Sequence, residues 1–327
     1  MLSLPKFAII KRPSDNTLIG SGPYKLSQWQ AGEHAVFTAN DDYWGGRPYP
    51  DAIDVQMGAS VREHLLERTL GRDHAAQLSI DQVHTLEQTS QNVLLSRPAE
   101  VLVLLFLQSD TRSRSGRKPV DPRIREAIAD AINRAAISNV LLQRKGAPAT
   151  ALLPQWLSGY EFMFPDKNNP DQARKLRTEA GTVAPISLAY DFADPVSKMV
   201  ADRIAVDARE AGITIQPFGD AHINTRSARK TSNADVVLLH LPLRALDPSA
   251  ALAAVAEDVD SPPELLSAIL SAGRPDELFA AERKALEDYR VVPVAHLAQA
   301  VWLNSTVHNW QQFPDGEWNL DQMWVEK

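Results

Sequence analysis

Cysteine is absent from the 327 residues of this chain, which excludes disulfides, thiolate chemistry and a lipid anchor on cysteine for this sequence. Long apolar runs are absent too, since no stretch approaches the roughly 20 residues that cross a bilayer as a helix. Positive charge is in deficit, because 34 Lys and Arg face 41 Asp and Glu and give a formal net charge of -7. This balance favours neither nucleic acid nor an anionic membrane surface as a partner.

The common motifs of catalysis and cofactor binding are also missing. The sequence has no GxSxG nucleophile elbow, no HExxH pair and no Cys/His metal spacing. The stretch GSGPYK at 20–25 has two glycines of a phosphate loop, but it lacks the third glycine and the Lys-Ser/Thr ending. The sequence therefore predicts no enzyme, no metal site and no cofactor.

The opening residues MLSLPKFAII do not have the pattern of a signal peptide. They lack a basic n-region, and Pro5 and Lys6 interrupt their apolar stretch. We therefore expect no export signal within this sequence, although the absence of cysteine would suit an oxidising compartment.

Strands and turns are predicted for the first 60 residues, and alternating strands and helices from 121 to 290. Between them, VLVLLFLQ (101–108) predicts a strand that is buried on both faces. The segment SDTRSRSGRKPVDP (109–122) is polar and rich in breakers, which predicts an exposed connection between two lobes. The alternation after it predicts an α/β lobe with a parallel or mixed sheet. Other predicted elements are helices at 60–70, 79–88, 171–180, 194–211, 262–272 and 275–289, strands at 35–40, 53–57, 75–78, 186–190 and 213–216, one bent strand or two strands at 291–304, and an aromatic-rich loop at 152–164.

A strong helix is predicted directly after the polar connection. Asp121 is a good N-cap, and Pro122 suits the first helical position. Apolar residues recur at helical spacing and predict one buried stripe along a single helix. The stripe consists of Ile124, Ile128, Ala131, Ile132, Ala135 and Val140.

The stretch VVLLHLPLRALDP (236–248) begins as a buried strand and ends as a loop that carries His240, Arg244 and Asp247. Its start is β-branched and apolar, and prolines end the apolar run. This pattern is typical of a core strand that is followed by a loop with charged residues at a functional surface.

Six segments, in order along nearly the whole chain, resemble one protein family. The segment at 19–55 contains DYWGG after GPYKL, and the segment at 120–154 contains the helix RIREAI with NR shortly after it. The others are DQARKLRTEAG (171–181), DAREAGITIQ (207–216), NADVVLLHLPLRALDP (233–248) and VVPVAHLAQAVWLN (291–304). Together they resemble the family 5 extracellular solute-binding proteins, the binding components of ABC importers for peptides, nickel and oligosaccharides.

The resemblance implies an α/β, two-lobed fold of the periplasmic-binding-protein type (class II, cluster C), in which hinge strands let the lobes close on a solute. It implies a periplasmic or extracellular location, and delivery of a peptide or other small solute to an ABC permease. Family chains are longer, so we expect lobe I (1–107 with 292–327) to be truncated at its N-terminal side and lobe II (108–291) to be complete. The truncated sheet would expose an edge, which a homodimer would cover.

The resemblance also suggests ligand-binding residues in the stretch 236–248. In peptide-binding members this stretch supplies a Trp to the pocket wall and an Asp to the ammonium of the ligand. In an ungapped alignment Leu241 takes the Trp position and Arg244 takes the Asp position. Arginine suits a carboxylate and not an ammonium, so we expect an anionic or uncharged solute group there. The alternative is that Arg244 only pairs with Asp247 or solvent.

Five further residues are candidates for the site. His240 either tunes binding with pH or is a structural histidine at a strand end. Phe106 and Gln108 match the strand where family members present backbone groups and an Asn to the ligand. Trp156 and Tyr160 either line the cleft or pack within lobe II.

Two functions remain open from the sequence. The first is the solute-binding component of a peptide-type ABC importer, which the extended family resemblance favours. The second is a non-transport scaffold or regulatory relative with a degenerate cleft, which the missing export signal and front end favour.

Overall fold

The computed structural model describes residues 20–58, 73–80, 82–83, 92–108, 118–160, 163–165 and 167–326. The helix predicted at 60–70 lies outside these residues, as do most of the helix predicted at 79–88 and most of the polar connection at 109–122. The chain divides into two compact units. We call Pro98–Ala298 the larger unit, and Leu2–Arg97 with Gln299–Lys327 the smaller unit.

The described strands are β1 Tyr24–Gln30, β2 His34–Ala39, β3 Ala52–Gln56, β4 Ala75–Leu78, β5 Val93–Phe106, β6 Gly146–Pro148, β7 Ile186–Asp191, β8 Ile215–Asp220, β9 Val236–Pro242, β10 Val291–Leu303, β11 Val307–His308, β12 Gln311–Gln312, β13 Trp318–Asn319 and β14 Trp324–Val325. The described helices are α1 Pro122–Ala131, α2 Arg134–Ala136, α3 Gln155–Ser158, α4 Pro170–Glu179, α5 Pro195–Glu210, α6 Arg226–Thr231, α7 Pro248–Asp258, α8 Pro263–Ser271 and α9 Pro275–Leu286. A π-helical turn, Ile137–Leu141, follows α2.

The smaller unit contains an antiparallel sheet in the order β1-β2-β3. Phe37 pairs with Leu26 on one side and with Ile53 on the other, so these apolar side chains share one face of the sheet. Ile53 and Val55 alternate with exposed neighbours, which confirms the half-buried strand predicted there. The same unit contains two short antiparallel strand pairs, β11 with β14 and β12 with β13.

The largest sheet has the strand order β4-β10-β5-β9-β7-β8, with β6 paired to β10. Strands β7, β8 and β9 are parallel, and β9 is antiparallel to β5, so the mixed sheet predicted from the sequence is confirmed. Residues 101–106 of β5 are each at most 2% exposed, which confirms the strand buried on both faces. The stretch at 291–304 forms one strand, β10.

Four helices of the larger unit begin at an Asp or Asn whose side chain accepts an N–H of the first turn and which a proline follows. These capping residues are Asp121, Asn169, Asp194 and Asp247. The cap satisfies a donor that the helix leaves open, and proline at the first position loses no hydrogen bond. The start predicted at Asp121 is therefore confirmed. The short dipeptides Asp-Pro and Asn-Pro set where these helices begin.

The single helix predicted through Val140 is wrong, because α1 ends at Ala131. The side chain of Asn133 accepts an N–H three residues later and starts a new turn, an interaction that competes with helix continuation. Arg134 then turns inward and is 2% exposed. As a result, the last two members of the predicted stripe, Ala135 and Val140, are exposed.

Candidate functional site

The carboxyl ends of the parallel strands β7, β8 and β9 lie at one edge of the sheet of the larger unit, which we call the carboxyl edge. Because β5 runs antiparallel to β9, with Glu100 opposite Pro242 and Leu102 opposite His240, the start of β5 in this unit lies at the same edge. In open α/β sheets, ligands bind beyond the carboxyl ends of the strands. The carboxyl edge is therefore the candidate site of the larger unit.

His240 lies between two carboxylates at this edge. Its Nε2 is 2.6 Å from Oε2 of Glu100, and its Nδ1 is 3.1 Å from Oδ2 of Asp194. We call these three residues the His240 cluster. Their side chains are between 16% and 25% exposed, so the ion pairs are largely shielded from water. The cluster joins β9 to β5 and to the start of α5.

The two carboxylates favour the charged imidazolium. Burial alone would lower the pKa of His240, but the hydrogen bonds with Asp194 and Glu100 outweigh it and raise this pKa to about 10. Burial also opposes ionisation of Asp194, yet the bonds with His240 and Ser197 hold the pKa of this carboxyl below its usual range. At neutral pH the imidazolium form of His240 is therefore favoured.

Arg244 is engaged by an acid that the sequence analysis did not name. Its Nη2 lies 3.3 Å from Oδ2 of Asp258 at the end of α7, and its side chain is 47% exposed. Asp247, the partner considered from the sequence, instead accepts the N–H of Ala250 as the cap of α7. A solute carboxylate at Arg244 would thus compete with Asp258.

Three predicted site residues lie on or beside β5 and β9 without joining the His240 cluster. Leu241 is 7% exposed and pairs with Val101 inside the sheet. Phe106 is 2% exposed and lies four positions beyond the partner of His240 on β5, which is about 14 Å along an antiparallel strand. Gln108 is exposed and lies still further along the chain. The structure therefore separates Phe106 and Gln108 from the carboxyl edge.

Trp156 lies beside β5 at Pro98, where the larger unit begins. It belongs to the short helix α3, and its indole Nε1–H donates to the carbonyl of Pro98 at 2.9 Å. Pro98 is two residues before Glu100 on β5, so the indole lies near the His240 cluster along this strand. Whether Trp156 lines a cleft or packs within its lobe stays a prediction.

Tyr160 faces inward, to a buried carboxylate on α9. Its hydroxyl donates to Glu282, whose other oxygen accepts the N–H groups of Leu152 at 2.5 Å and Leu153 at 3.4 Å. The carbonyl of Leu152 accepts Nε2–H of His296 at 3.1 Å. We call Glu282, Tyr160 and His296, with the peptide groups of Leu152 and Leu153, the Glu282 clamp. The clamp holds both ends of the segment 152–160, which carries Trp156.

Burial controls ionisation in the Glu282 clamp. It raises the pKa of Glu282 to about 7, although the bonds from Tyr160 and the two N–H groups act in the opposite direction. Burial also raises the pKa of the Tyr160 hydroxyl, and the nearby Glu282 raises it further. The pKa of His296 is lowered by burial to about 4. His296 is therefore neutral at pH 7 and donates through Nε2.

The sequence analysis missed Glu100, Asp194 and Glu282 as members of these clusters. Glu100 is a single acid directly before an uninterrupted apolar strand, which is a detectable signal. Glu282 falls on one helical stripe with Leu278 and Leu286, and all three are buried. An acid on an apolar stripe needs buried partners. Asp194 was visible only as the start of a helix.

Two negative findings apply to the residues that the structure describes. Among them, no group of three or more His, Cys, Asp or Glu side chains is arranged to hold a metal ion. None of the helices in this described part of the chain combines the length and the apolar character needed to cross a membrane.

The sequence matches a family model over residues 4–261, and the family is described as "Bacterial extracellular solute-binding proteins, family 5 Middle". Di/tripeptide-binding protein 2 of Pseudomonas aeruginosa (strain UCBPP-PA14) is 28% identical over 175 residues, which are 51% of this chain and 31% of that relative. The Dipeptide-binding protein of Escherichia coli (strain K12) is 27% identical over 208 residues, 60% of this chain and 37% of the relative. The matched part therefore spans less than half the length of each of these relatives.

A solved structure resembles nearly the whole chain. NikA from Staphylococcus aureus, in complex with Ni(L-His)2, superposes with a TM-score of 0.78 at 19% identity and covers 97% of this chain and 71% of its own. At this identity the likeness shows the fold alone. It confirms the α/β fold class expected from the sequence.

Proposed function

Because this chain belongs to the family 5 bacterial extracellular solute-binding proteins, we propose that it binds a small solute and delivers it to an ABC permease. The match over residues 4–261 carries this proposal. The names of the two bacterial relatives support a peptide as the first class of solute to test. Since the chain matches only part of each relative, a peptide is a proposed solute for this chain, and the names of the relatives do not establish it.

The carboxyl edge of the larger unit is the proposed solute-facing surface of that unit. His240 and Trp156 support this placement. His240 lies near the carboxyl end of β9, the end that ligands approach in sheets of this kind, and Trp156 contacts Pro98 of the neighbouring β5. Arg244 follows β9 in the chain and stays a candidate despite its pairing with Asp258. Tyr160 acts through the Glu282 clamp in this proposal. Leu241, Phe106 and Gln108 receive less support, for the reasons of burial and position given above.

The proposal includes no catalysis and no resident cofactor, since the family consists of solute-binding proteins. It places the protein in the periplasm or at the extracellular surface, where family members work. The lobe boundaries at 107 and 292, and a homodimer that covers an open sheet edge, stay predictions. Strand β1, on which Leu26 and Trp29 are 39% and 58% exposed, is the described edge that such a dimer would use.

The test is thermal unfolding of the whole chain with a panel of di- to pentapeptides, acidic peptides, sugars and Ni(II)-histidine. A solute that binds only the native state stabilises it by about 2.7 kcal/mol at a hundred times its Kd, so the melting temperature rises. We expect at least one peptide to raise it, and we expect Trp156→Phe and Arg244→Ala to reduce that rise.

Matched controls are Trp44→Phe and Arg274→Ala. Trp44 is 83% exposed in the smaller unit, and Arg274 is an exposed arginine paired with Asp276. Both controls should respond to the solute like the wild type. If no member of the panel shifts the wild-type melting temperature, the importer proposal fails, and the scaffold alternative gains support.

A further inference from the structure

The imidazole of His240 occupies the space between two carboxylates that approach it from opposite sides. Glu100 reaches Nε2 from β5, and Asp194 reaches Nδ1 from the start of α5. Each carboxylate therefore receives its own N–H from one planar cation. Charge-assisted hydrogen bonds of this kind are the stronger ones in proteins, so the geometry is held firmly.

Asp194 does not depend on His240 for its position. Its Oδ1 accepts the N–H of Val196 at 2.9 Å, and its Oδ2, which faces His240, also accepts the hydroxyl of Ser197 at 2.5 Å. These bonds belong to the cap of α5. Removal of the imidazole would therefore leave this carboxylate in place, facing the space that the ring had filled.

Two cations at or beside the carboxyl edge, His240 and Arg244, are each paired with a carboxylate of the same chain. His240 is paired by Glu100 and Asp194, and Arg244 is paired by Asp258. We propose that His240 is a specificity-determining residue, which fills the place that a planar cation of a solute would take between Glu100 and Asp194. In this view the space between Glu100 and Asp194 is closed to the arginine-like or histidine-like cations of a solute. The part of this inference that concerns the selection of solutes rests on the proposed function.

The test uses imidazolium, which is the same cation as the charged side chain of histidine. His240→Ala should create a space that fits imidazolium, so imidazole hydrochloride at mildly acidic pH should raise the melting temperature of this variant above the value in sodium chloride of equal ionic strength. The wild type should show no such rise, because its own ring fills the space. We expect the variant to bind imidazolium at least about tenfold more tightly than the wild type does, the scale of one charge-assisted hydrogen bond.

Two controls separate a specific site from a general salt effect. The neutral ring 1,2,4-triazole has the same shape and should not stabilise His240→Ala. The double variant His240→Ala with Glu100→Gln should lose most of the gain, because it lacks one of the two anions. Equal responses of the wild type and His240→Ala to imidazolium would overturn the inference, as would a full response in the double variant.

A measurement on the wild type covers the case in which His240→Ala does not fold. Nitrogen NMR of the His240 ring should show both nitrogens protonated at mildly alkaline pH, and a neutral ring there would overturn the inference. Neither experiment needs the natural solute. A negative solute panel with a positive imidazolium response would therefore reject the proposed function while the cation-filling role of His240 stands.

Discussion

Three polar side chains of the larger unit, His240, Glu282 and Arg134, hold neighbouring segments together. His240 joins β9, β5 and α5, and Glu282 holds the segment 152–160 against α9. Arg134 is 2% exposed and donates to carbonyl groups of Pro293 and Ala129. A buried polar group without partners destabilises the fold. These residues are therefore fixed by hydrogen bonds that cross between elements far apart in sequence.

The His240 cluster predicts a loss of stability at alkaline pH. The pKa of His240 is raised from 6.5 to about 10 in the folded chain, so its contribution is complete below pH 6.5 and is lost as the pH rises towards 10. The charged groups that face the ring are Glu100 and Asp194. We expect the free energy of unfolding to fall by about 1–3 kcal/mol between pH 7 and pH 10 from this group.

Urea unfolding of the wild type and His240→Gln across this range measures the effect. Glutamine retains a hydrogen-bond donor but does not titrate, so the stability difference between the two proteins should shrink as the pH rises. Other groups titrate in both proteins, so their contributions to the pH dependence cancel in the stability difference between wild type and variant. A difference that stays constant from neutral to alkaline pH would contradict the prediction.

The segment 152–160 shows how two regular elements position an irregular one. Helix α9 supplies Glu282 to the N–H groups of Leu152 and Leu153, and strand β10 supplies His296 to the carbonyl of Leu152. The far end of the segment is tied by Tyr160 to the same carboxylate. The segment therefore holds Trp156 against Pro98 of β5 without a long regular structure of its own.

Glu282→Ala should release this segment while the rest of the larger unit stays folded. The change removes one carboxylate and leaves two buried N–H groups without their acceptor, at a cost of about 2–4 kcal/mol. Hydrogen exchange should show the amides of Leu152 and Leu153 losing protection. Glu287→Ala, an exposed acid at the end of the same helix, is the matched control and should leave both amides protected. Unchanged protection in Glu282→Ala would contradict the role of the clamp.

Local signals in the sequence predict most of the helices and strands. The features that these signals miss depend on contacts with residues far away in the sequence. Asp121 with Pro122 marks a helix start because capping acts within one turn. The end of the same helix depends on Asn133 and on the burial of Arg134 against a carbonyl of β10, which no helical periodicity reveals. The pairing of Arg244 with Asp258 likewise depends on where α7 ends. The sequence alone narrows the candidate site to the stretch 236–248, which carries His240 and Arg244. The two carboxylates that bind His240 come from β5 and from the start of α5, far away in the sequence.

The larger unit is one continuous stretch of chain, Pro98–Ala298, whereas the smaller unit is formed from two separate stretches. Both the His240 cluster and the Glu282 clamp lie wholly inside the larger unit. Its buried core includes 101–106 of β5, which lies between β9 and β10 in the sheet. A unit that contains its own core and its own polar clusters has what a domain needs to fold alone.

We therefore expect a fragment of residues 98–298 to fold independently. It should unfold cooperatively and give a dispersed amide spectrum, with a lower melting temperature than the whole chain, because the ends of β5 and β10 that lie in the smaller unit are lost. The matched control is the fragment 121–298, which lacks β5 and so removes the strand between β9 and β10. It should not fold, because the apolar surface that 101–106 buries would be exposed. If 98–298 proves as disordered as 121–298, the stability of the larger unit depends on the smaller one, and variants of the carboxyl edge must be studied in the whole chain.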